Sequence, residues 1–554
     1  MTDAALASPT AARPPGAGAA WTAACLAIAL ALAAPMLVVA TSLLRPGGEA
    51  WEHLVATVLP GYIANSAALV ALVALGTIAV GVACAWVVTA CEFPGRRLFE
   101  WMLVLPLAMP AYVIAYAYTD LLQFSGPVQS LVRAAFGWQA GDYWFPEIRS
   151  LPGAAVMFTC VLYPYVYLLA RVAFLEQSPS LMDAGRTLGL SPARAFLRVS
   201  LPLARPAVAA GAALACMETL ADYGTVSFFG VPTFTTGIFR AWLSMGEPVS
   251  AAKLSVMLLA FVGAILWIER LARRRAQFHQ GSTPRTRERL RLRGGATMAA
   301  LATCLAPLVA GFLLPGTILA KLALTGGDEQ FGTRFLTLAG NSFAVASATA
   351  LIAIALAVVM AYGARVTRSR LAAGVNRLAA LGYAVPGAVI AIGVLVPAAA
   401  FDHAAGDWLD RAIGIGGSGL LLTGSVAALV YAYLIRFQAI ALQTVESGLS
   451  RITPSMEDAA RSLGYTPAQA LARVHLPMMR GSLVTGALLV FVDVMKELPA
   501  TFVMRPFNFD TLAVQAYNLA ADERLAEAST ASLAIVAVGL VPLIAASRRI
   551  VRGD

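Results

Sequence analysis

Long apolar runs alternate with short polar connections along the whole chain. A helix needs about 20 apolar residues to cross a hydrocarbon core of about 30 Å, so these runs predict membrane-spanning helices. We assign twelve spans, at residues 21–45, 63–91, 99–122, 151–175, 206–230, 251–271, 296–322, 342–365, 375–400, 416–443, 482–504 and 529–547. The pattern therefore predicts an all-α polytopic membrane protein.

Composition supports this class of protein. Of 554 residues, 59% are hydrophobic and 13% are charged, whereas a soluble domain carries about 25% charged residues. The six cysteines lie in or at the ends of apolar runs without paired metal-ligand spacing, and the four histidines are scattered. We interpret the cysteines as small packing residues and predict no metal cage of histidines.

The net charge of +10 raises the question of nucleic-acid binding. The arginines and lysines cluster at the ends of spans and in one linker, which is the distribution expected when basic residues stay on the cytoplasmic side. That rule places both chain termini in the cytoplasm. The charge is therefore explained by membrane topology, and we expect contact with lipid but none with nucleic acid.

A basic linker at residues 273–294 divides the spans into two sets of six. We predict a first permease repeat at 21–272 and a second at 295–547. Residues 1–20 form a tail of small residues, predicted to be disordered and cytoplasmic, and 548–554 form a cytoplasmic tail.

Matching residues support the repeat. Asn65-Ser66 recurs as Asn341-Ser342, and Pro110 recurs as Pro386, each 276 positions later. Six spans separate the copies, and because six is even the two repeats have the same orientation in the membrane. Parallel repeats of this kind enclose a path at their interface.

A polar passage also occurs twice, at residues 178–202 and 453–477, with 14 of 25 positions identical. Each begins with Ser or Thr before Pro, which is typical of a helix start. Gly189 and Gly464 suit the left-handed position after a helix. A second Ser/Thr-Pro pair starts another short helix, predicted to end at the closing Leu-Pro. We call these helix–turn–helix segments the first and second repeated loops.

Apolar side chains on such exposed loops indicate a docking surface. The residues predicted to point outward are Leu190, Phe196 and Leu197 in the first loop and Tyr465, Leu471 and Ala472 in the second.

The loops resemble the cytoplasmic coupling loop of membrane subunits of binding-protein-dependent ABC importers, which reads Glu-Ala-Ala, three residues, Gly, nine residues, Ile-x-Leu-Pro. The spacing is kept in both copies, with Asp for Glu, Val for Ile and Gly185 for one Ala. The resemblance implies the type I, MetI-like permease fold and a coupling helix that contacts an ATPase subunit. It carries the coupling role to Asp183, Ala184, Gly185, Arg186, Gly189, Leu190, Phe196, Leu201, Pro202, Asp458, Ala459, Ala460, Arg461, Gly464, Tyr465, Leu471, Leu476 and Pro477.

The chain lacks the glycine-rich loop and lysine of a nucleotide site. The resemblance therefore implies two copies of a separate ATPase that bind ATP and Mg²⁺, and a chain that is not itself an enzyme and binds no cofactor.

Charged residues inside spans are costly and usually functional. Glu218 and Asp222 lie in the fifth span, and Asp493, Lys496 and Glu497 lie in the eleventh. Each acidic pair is four residues apart, so we predict that it shares one helical face. In one interpretation the pairs form a ring of four carboxylates that transiently contacts a hard cation such as Fe³⁺. The alternative is ion pairing that locks helices, for example between Glu497 and Lys496 or Arg505.

The stretches "METLADYGTVSFFGVPTFTTGIFRAW", which contains Tyr223, and "DVMKELPATFVMRPFNFDTLAVQAY" resemble the ferric-iron branch of these importers. The resemblance implies a periplasmic binding protein as a partner and the bacterial cytoplasmic membrane as the location. Import of another solute such as thiamine stays open, as does a proton-coupled carrier that uses the acidic residues as relays. No nucleophile–base set favours a membrane enzyme.

Overall fold

The computed structural model describes residues 17–139, 141–177, 187, 190–274, 289–325, 332–413 and 421–552. Within these residues the regular secondary structure is helical except for one short pairing, in which β1 (Cys91–Glu92) lies parallel to β2 (Leu290–Arg291).

The α-helices before the linker are α1 (Ala17–Thr41), α2 (Gly48–Thr57), α3 (Leu59–Ala90), α4 (Arg96–Met102), α5 (Ala111–Leu122), α6 (Pro127–Phe136), α7 (Leu151–Glu176), α8 (Pro192–Ala195), α9 (Leu201–Ala221), α10 (Gly224–Phe228), α11 (Phe234–Phe239) and α12 (Pro248–Arg274).

Those after it are α13 (Gly295–Leu308), α14 (Leu314–Thr325), α15 (Thr333–Thr367), α16 (Arg370–Ala380), α17 (Gly387–Ile413), α18 (Val426–Ser450), α19 (Pro454–Ser462), α20 (Pro467–Ala470), α21 (Leu476–Met495), α22 (Pro499–Met504), α23 (Leu512–Ala521) and α24 (Leu525–Arg552). Turns of 3₁₀-helix are Ser42–Leu44, Leu105–Ala108 and Leu381–Ala384, and π-helical segments are Phe196–Ser200, Arg240–Ser244, Val309–Leu313 and Leu471–His475.

The described residues contain 11 helices long and apolar enough to cross a membrane, or 12 if one bent pair is a single span. This confirms the predicted number and class. The bent pair corrects the third span: Arg96–Ala108 and Ala111–Phe136 meet at 91°. Pro110 lies in the break, where it removes a backbone N–H and favours an extended residue before it. Met109 is extended, as this requires.

The second short helix of each repeated loop does not end at Leu-Pro as predicted. It continues through a π-helical segment, Phe196–Ser200 or Leu471–His475, into α9 or α21. In the second loop the Leu476 N–H bonds to the carbonyl of Leu471, five residues back. A wider turn lets a helix pass through a proline whose ring clashes with the carbonyl four residues before it in regular geometry.

Contacts group the chain into two compact units. The smaller draws its described residues from 1–34, 347–383 and 433–491. In it the first helix of the chain packs on the second repeat: the Trp21 and Tyr362 rings lie 5.3 Å apart, edge to face. The Cys25 thiol lies 3.6 Å from the carbonyl oxygen of Met360.

The larger unit contains residues 35–346, 384–432 and 492–554. Here the first helix of the second repeat packs on the first repeat. The Cys84 thiol lies 3.3 Å from the Thr303 carbonyl oxygen, and the Tyr118 hydroxyl donates to the Ala310 carbonyl at 2.8 Å. In each repeat, therefore, the first helix packs against helices of the other repeat. The boundaries at 272 and 295 remain a prediction about the sequence, since packing crosses them.

Candidate translocation path and coupling surfaces

The second repeated loop has the predicted helix–turn–helix form. Helix α19 ends at Ser462, Gly464 is left-handed with φ +82°, and the Tyr465 N–H bonds to the Ala460 carbonyl at 3.1 Å. A Cβ on Gly464 meets nothing within 4 Å, so conformation rather than space requires glycine there. Thr466 then caps α20 through a hydrogen bond from the Gln469 N–H, which confirms the predicted second start.

Contacts with the end of α15 hold this loop in place. Arg365 pairs with Glu457 at 3.2 Å and donates to the carbonyls of Leu449 and Ile452 at 2.5 and 2.7 Å. The Tyr362 hydroxyl donates to the Pro467 carbonyl at 2.9 Å. Sequence reasoning assigned Arg365 to membrane topology alone, because the pattern does not show which carbonyls lie near it.

His475 is a second residue that the sequence did not single out. It is fully buried, with Nδ1 3.1 Å from the Ala470 carbonyl oxygen and its ring 5.1 Å from that of Tyr362. His475 therefore packs the π-helical segment Leu471–His475 against α15, which carries Tyr362.

The exposed apolar tip of the second loop is Leu463, with 75% of its surface accessible. Tyr465 and Leu471 are half-buried, and the Arg473 guanidinium lies 5.5 Å from the Tyr465 ring. Ala472, predicted to point outward, is exposed. The other predicted coupling residues of this loop are Asp458, Ala459 and Pro477, which are exposed, Leu476, which is half-buried, Ala460, which is buried, and Arg461, whose side chain is outside the described residues.

In the first loop, Asp183, Ala184, Gly185, Arg186 and Gly189 lie outside the described residues. Leu190, Leu201 and Pro202 are half-buried.

The predicted outward position of Phe196 is wrong. Its ring lies 4.5 Å from that of Trp86 and 6.0 Å from that of Phe174, at the edge of a buried cluster. Leu197, also predicted to point outward, is 59% exposed, which confirms that part of the prediction.

The fifth span ends early, at Ala221. Asp222 is extended and accepts hydrogen bonds from the N–H groups of Thr225 at 2.8 Å and Val226 at 3.3 Å, and from the Thr225 hydroxyl at 3.2 Å. A carboxylate in this position satisfies N–H groups that have no partner within the helix. Asp222 therefore caps α10, and the predicted span 206–230 is broken.

The eleventh span ends in the same way, at Met495. The Glu497 carboxylate accepts from the N–H groups of Ala500 at 2.8 Å and Thr501 at 3.0 Å, and from the Thr501 hydroxyl at 2.6 Å. Glu497 is 4% exposed and caps α22, which Pro499 begins. The predicted span 482–504 is broken as well.

These two breaks correct the expected carboxylate ring. Asp222 lies beyond the helix that carries Glu218, and Glu497 lies beyond the helix that carries Asp493, so the pairs do not share a helical face. Among the described residues, no group of three or more His, Cys, Asp or Glu side chains is placed to hold a metal ion. The capping bonds explain why, since they hold two of the four carboxylates at helix starts.

The two breaks lie side by side in the larger unit. A Cβ on Gly224 would lie 2.7 Å from Leu498 Cδ2 and 2.8 Å from Tyr112 Cβ. Only glycine leaves room for this approach.

One cation lies among the remaining acids. The Lys496 amine is 2.8 Å from the Asp493 carboxylate and within electrostatic reach of Glu218. The Lys496 and Asp493 side chains keep 33% and 20% of their surface accessible although both lie at the end of an apolar span. Arg505 pairs with Asp510, and the Glu497 carboxylate caps α22.

Four rings from both repeats meet beside the breaks, and we call Tyr223, Phe239, Phe502 and Tyr517 the aromatic cluster. Tyr223 stacks on Phe239 at 3.7 Å and lies 5.7 Å from Phe502. Phe502 and Tyr517 meet edge to face at 5.3 Å. Burial raises the pKa of Tyr517 above its ordinary value. Only Tyr223 was predicted, because the other three come from separate helices with no shared pattern.

Comparison with known families gives a match over two segments. Residues 77–277 and 353–552 match the family described as binding-protein-dependent transport system inner membrane component. The two segments together cover more than half of the chain and correspond to the two repeats.

Individual relatives extend the comparison. The chain is 25% identical over 486 residues to the Fe(3+)-transport system permease protein FbpB 2 of Haemophilus influenzae, covering 87% of this chain and 88% of that protein. It is 29% identical over 215 residues to the molybdenum transport system permease protein ModB of Escherichia coli, a match that covers 37% of this chain and 91% of that protein. It is 28% identical over 186 residues to the sulfate transport system permease protein CysT of Salmonella typhimurium, a match that covers 32% of this chain and 64% of that protein.

Proposed function

The chain belongs to the family of binding-protein-dependent transport system inner membrane components, a multi-pass membrane family, and from this premise we propose that it is the permease of an importer for ferric iron. The similarity to a ferric permease along 87% of the chain is the observation that carries the choice of substrate. That relative spans both repeats, whereas the molybdenum and sulfate permeases match about a third of the chain.

Two copies of a separate ATPase subunit drive the transport in this proposal. They bind ATP and Mg²⁺, and each receives one repeated loop. The second loop supports this role: Leu463 is exposed at its tip, while Arg365 and Tyr362 of α15 form hydrogen bonds with the loop. In this proposal these bonds transmit movement of the ATPase from the docking surface to the spans.

The path in this proposal passes the charged group Glu218, Asp493 and Lys496 and reaches the aromatic cluster. The partial accessibility of Asp493 and Lys496 supports a polar passage at this level. The cluster lies where α9 and α21 end, whereas the repeated loops lie where these helices begin.

The basic residues set the orientation we propose. The chain lies in the bacterial cytoplasmic membrane with both termini and both loops in the cytoplasm. The aromatic cluster then lies toward the periplasm, where a periplasmic binding protein delivers the substrate.

Reconstitution tests the substrate. We expect ATP hydrolysis by the complete transporter in proteoliposomes to rise with an iron-loaded binding protein and ⁵⁵Fe to accumulate. Stimulation by a thiamine-loaded protein instead identifies the alternative solute. Uptake that persists without ATP but collapses with the proton gradient identifies a secondary carrier.

Molybdate or sulfate is the second candidate substrate, because the 29% and 28% identical relatives carry these names. Radiolabelled molybdate and sulfate in the same vesicles decide between the oxyanions and iron.

A further inference from the structure

Helix α5 carries three buried hydroxyl groups on one side. Tyr112, Tyr116 and Thr119 follow the spacing of one helical face. Tyr112 is 4% exposed, Tyr116 is 2% exposed and Thr119 is 0% exposed. None of the three hydroxyl oxygens has a hydrogen-bond partner within the described part of the chain. We call these residues the hydroxyl stripe.

Unpartnered buried hydroxyls are unusual, since burial without a hydrogen bond destabilises the folded state. Tyr118, next to Thr119 in the same helix, shows the usual arrangement, in which a buried hydroxyl has a hydrogen-bond partner. Tyr118 lies on another face, and its hydroxyl donates to the Ala310 carbonyl at 2.8 Å. The unpartnered groups are thus confined to one face of α5.

That face is turned toward the breaks and the aromatic cluster. Tyr112 lies against Gly224 and within electrostatic reach of Asp222 and Glu497. The Tyr116 ring lies 4.7 Å from that of Phe228. Tyr116 is also within electrostatic reach of Tyr223 and Tyr517 of the cluster. Two members of the stripe, Tyr112 and Tyr116, therefore lie beside the breaks of the fifth and eleventh spans, which the proposed path passes.

We propose that the hydroxyl stripe is the surface that contacts the substrate during passage, through the oxygen atoms around the transported ion. The Asp222 and Glu497 carboxylates accept backbone N–H groups, so the stripe supplies neutral hydroxyls beside them. A hydroxyl both donates and accepts hydrogen bonds. Such groups fit the water or chelator oxygens bound to Fe³⁺, and the same donors fit the oxygens of an oxyanion.

This inference rests on the proposed function, and hydroxyl-deleting variants test it. The variants are Tyr112→Phe, Tyr116→Phe, Thr119→Val and the double tyrosine variant, with Tyr118→Phe as the matched control. Each complete transporter, with its ATPase and binding protein, is reconstituted and measured for ⁵⁵Fe uptake, ATP hydrolysis and unfolding temperature.

We expect the double variant to lose about tenfold in uptake, comparable to one or two lost hydrogen bonds. ATP hydrolysis stays within about twofold of wild type, because the repeated loops are unchanged. Its unfolding temperature stays level or rises, since unpartnered hydroxyls have been removed. Tyr118→Phe shows the reverse: a lower unfolding temperature and full uptake.

Uptake by the double variant equal to wild type overturns the proposal, as does a loss of uptake matched by a lower unfolding temperature. The proposed function fails separately if wild type moves ⁹⁹Mo-molybdate or ³⁵S-sulfate and no iron. The variants are then measured with that oxyanion: a tenfold loss supports the stripe, and unchanged uptake overturns it.

Discussion

Asp222 and Glu497 occupy equivalent positions in the two repeats, and each carboxylate accepts two backbone N–H groups and one threonine hydroxyl. The residues beside them differ. Tyr223 follows Asp222 and joins the aromatic cluster, whereas Leu498 follows Glu497 and is 1% exposed. Lys496 precedes Glu497, whereas Ala221 precedes Asp222.

This difference shows that a broken span requires an acidic cap, whereas the residues beside the cap can vary. Backbone N–H groups at a helix start need acceptors wherever water is excluded, so both breaks carry an acidic cap. The neighbouring side chains have no such constraint. The first break is therefore followed by an aromatic residue and the second is preceded by a cation, although the two breaks occupy equivalent positions.

Removing the caps gives the largest expected effect. Glu497 is 4% exposed, and Glu497→Ala leaves two N–H groups without an acceptor. We expect this variant to lower the free energy of unfolding by about 3 kcal/mol. Asp222 is less buried, so the loss in Asp222→Ala should be smaller, about 2 kcal/mol. Unfolding in detergent measures both, with Glu497→Gln, which keeps one acceptor oxygen, as the control. A larger loss for Asp222→Ala contradicts the ranking.

The turn of the second repeated loop comes next. Gly464→Ala puts a side chain at a φ of +82°. The left-handed conformation of an alanine should then destabilise the turn by about 1–2 kcal/mol. We expect uptake to fall several-fold while ATP hydrolysis continues, and Gly464→Pro to abolish uptake. Gly464→Asn, which tolerates the left-handed region, is the control.

The corresponding variant of the first loop, Gly189→Ala, is measured for uptake and ATP hydrolysis in the same way. An equal effect indicates the same turn in both loops. Uptake at the wild-type level in Gly464→Pro is incompatible with a coupling role.

Tyr223→Leu makes the first break resemble the second. It removes the stack on Phe239, a loss that should cost about 1 kcal/mol. We expect the cluster to loosen and ATP hydrolysis without binding protein to rise. The reciprocal Leu498→Tyr is the comparison variant, and it should destabilise through overpacking, because Leu498 is buried against Gly224. Unchanged basal hydrolysis in Tyr223→Leu contradicts an influence of this stack on ATP hydrolysis.

The Lys496–Asp493 pair gives the smallest expected effect, because both side chains are partly accessible. A double-mutant cycle with Lys496→Met and Asp493→Asn should give a coupling energy of about 0.5 kcal/mol. Its salt dependence is the second measurement. A coupling energy well above about 1 kcal/mol indicates a drier site than the partial accessibility implies.

Local chemistry was predictable where neighbours in sequence suffice. The turn at Gly464 and the cap at Thr466 follow from residues within one loop, and the structure confirms both. The position of the Phe196 ring was not predictable, because it packs against Trp86, which lies on a helix far away in sequence. The predicted carboxylate ring was wrong for a related reason, since two of its four members, Asp222 and Glu497, accept hydrogen bonds from backbone N–H groups at the start of the next helix.

The sequence by itself determined the membrane class, the number of spans and the repeat, because hydropathy and a repeated polar spacing are properties of the chain read in one dimension. Tertiary structure alone decided which groups meet. Four rings form the aromatic cluster because the two breaks approach at Gly224. The hydroxyl stripe stands out because the helices around it offer no acceptor among the described residues. Both are properties of helices that lie far apart in sequence, and no local pattern records them.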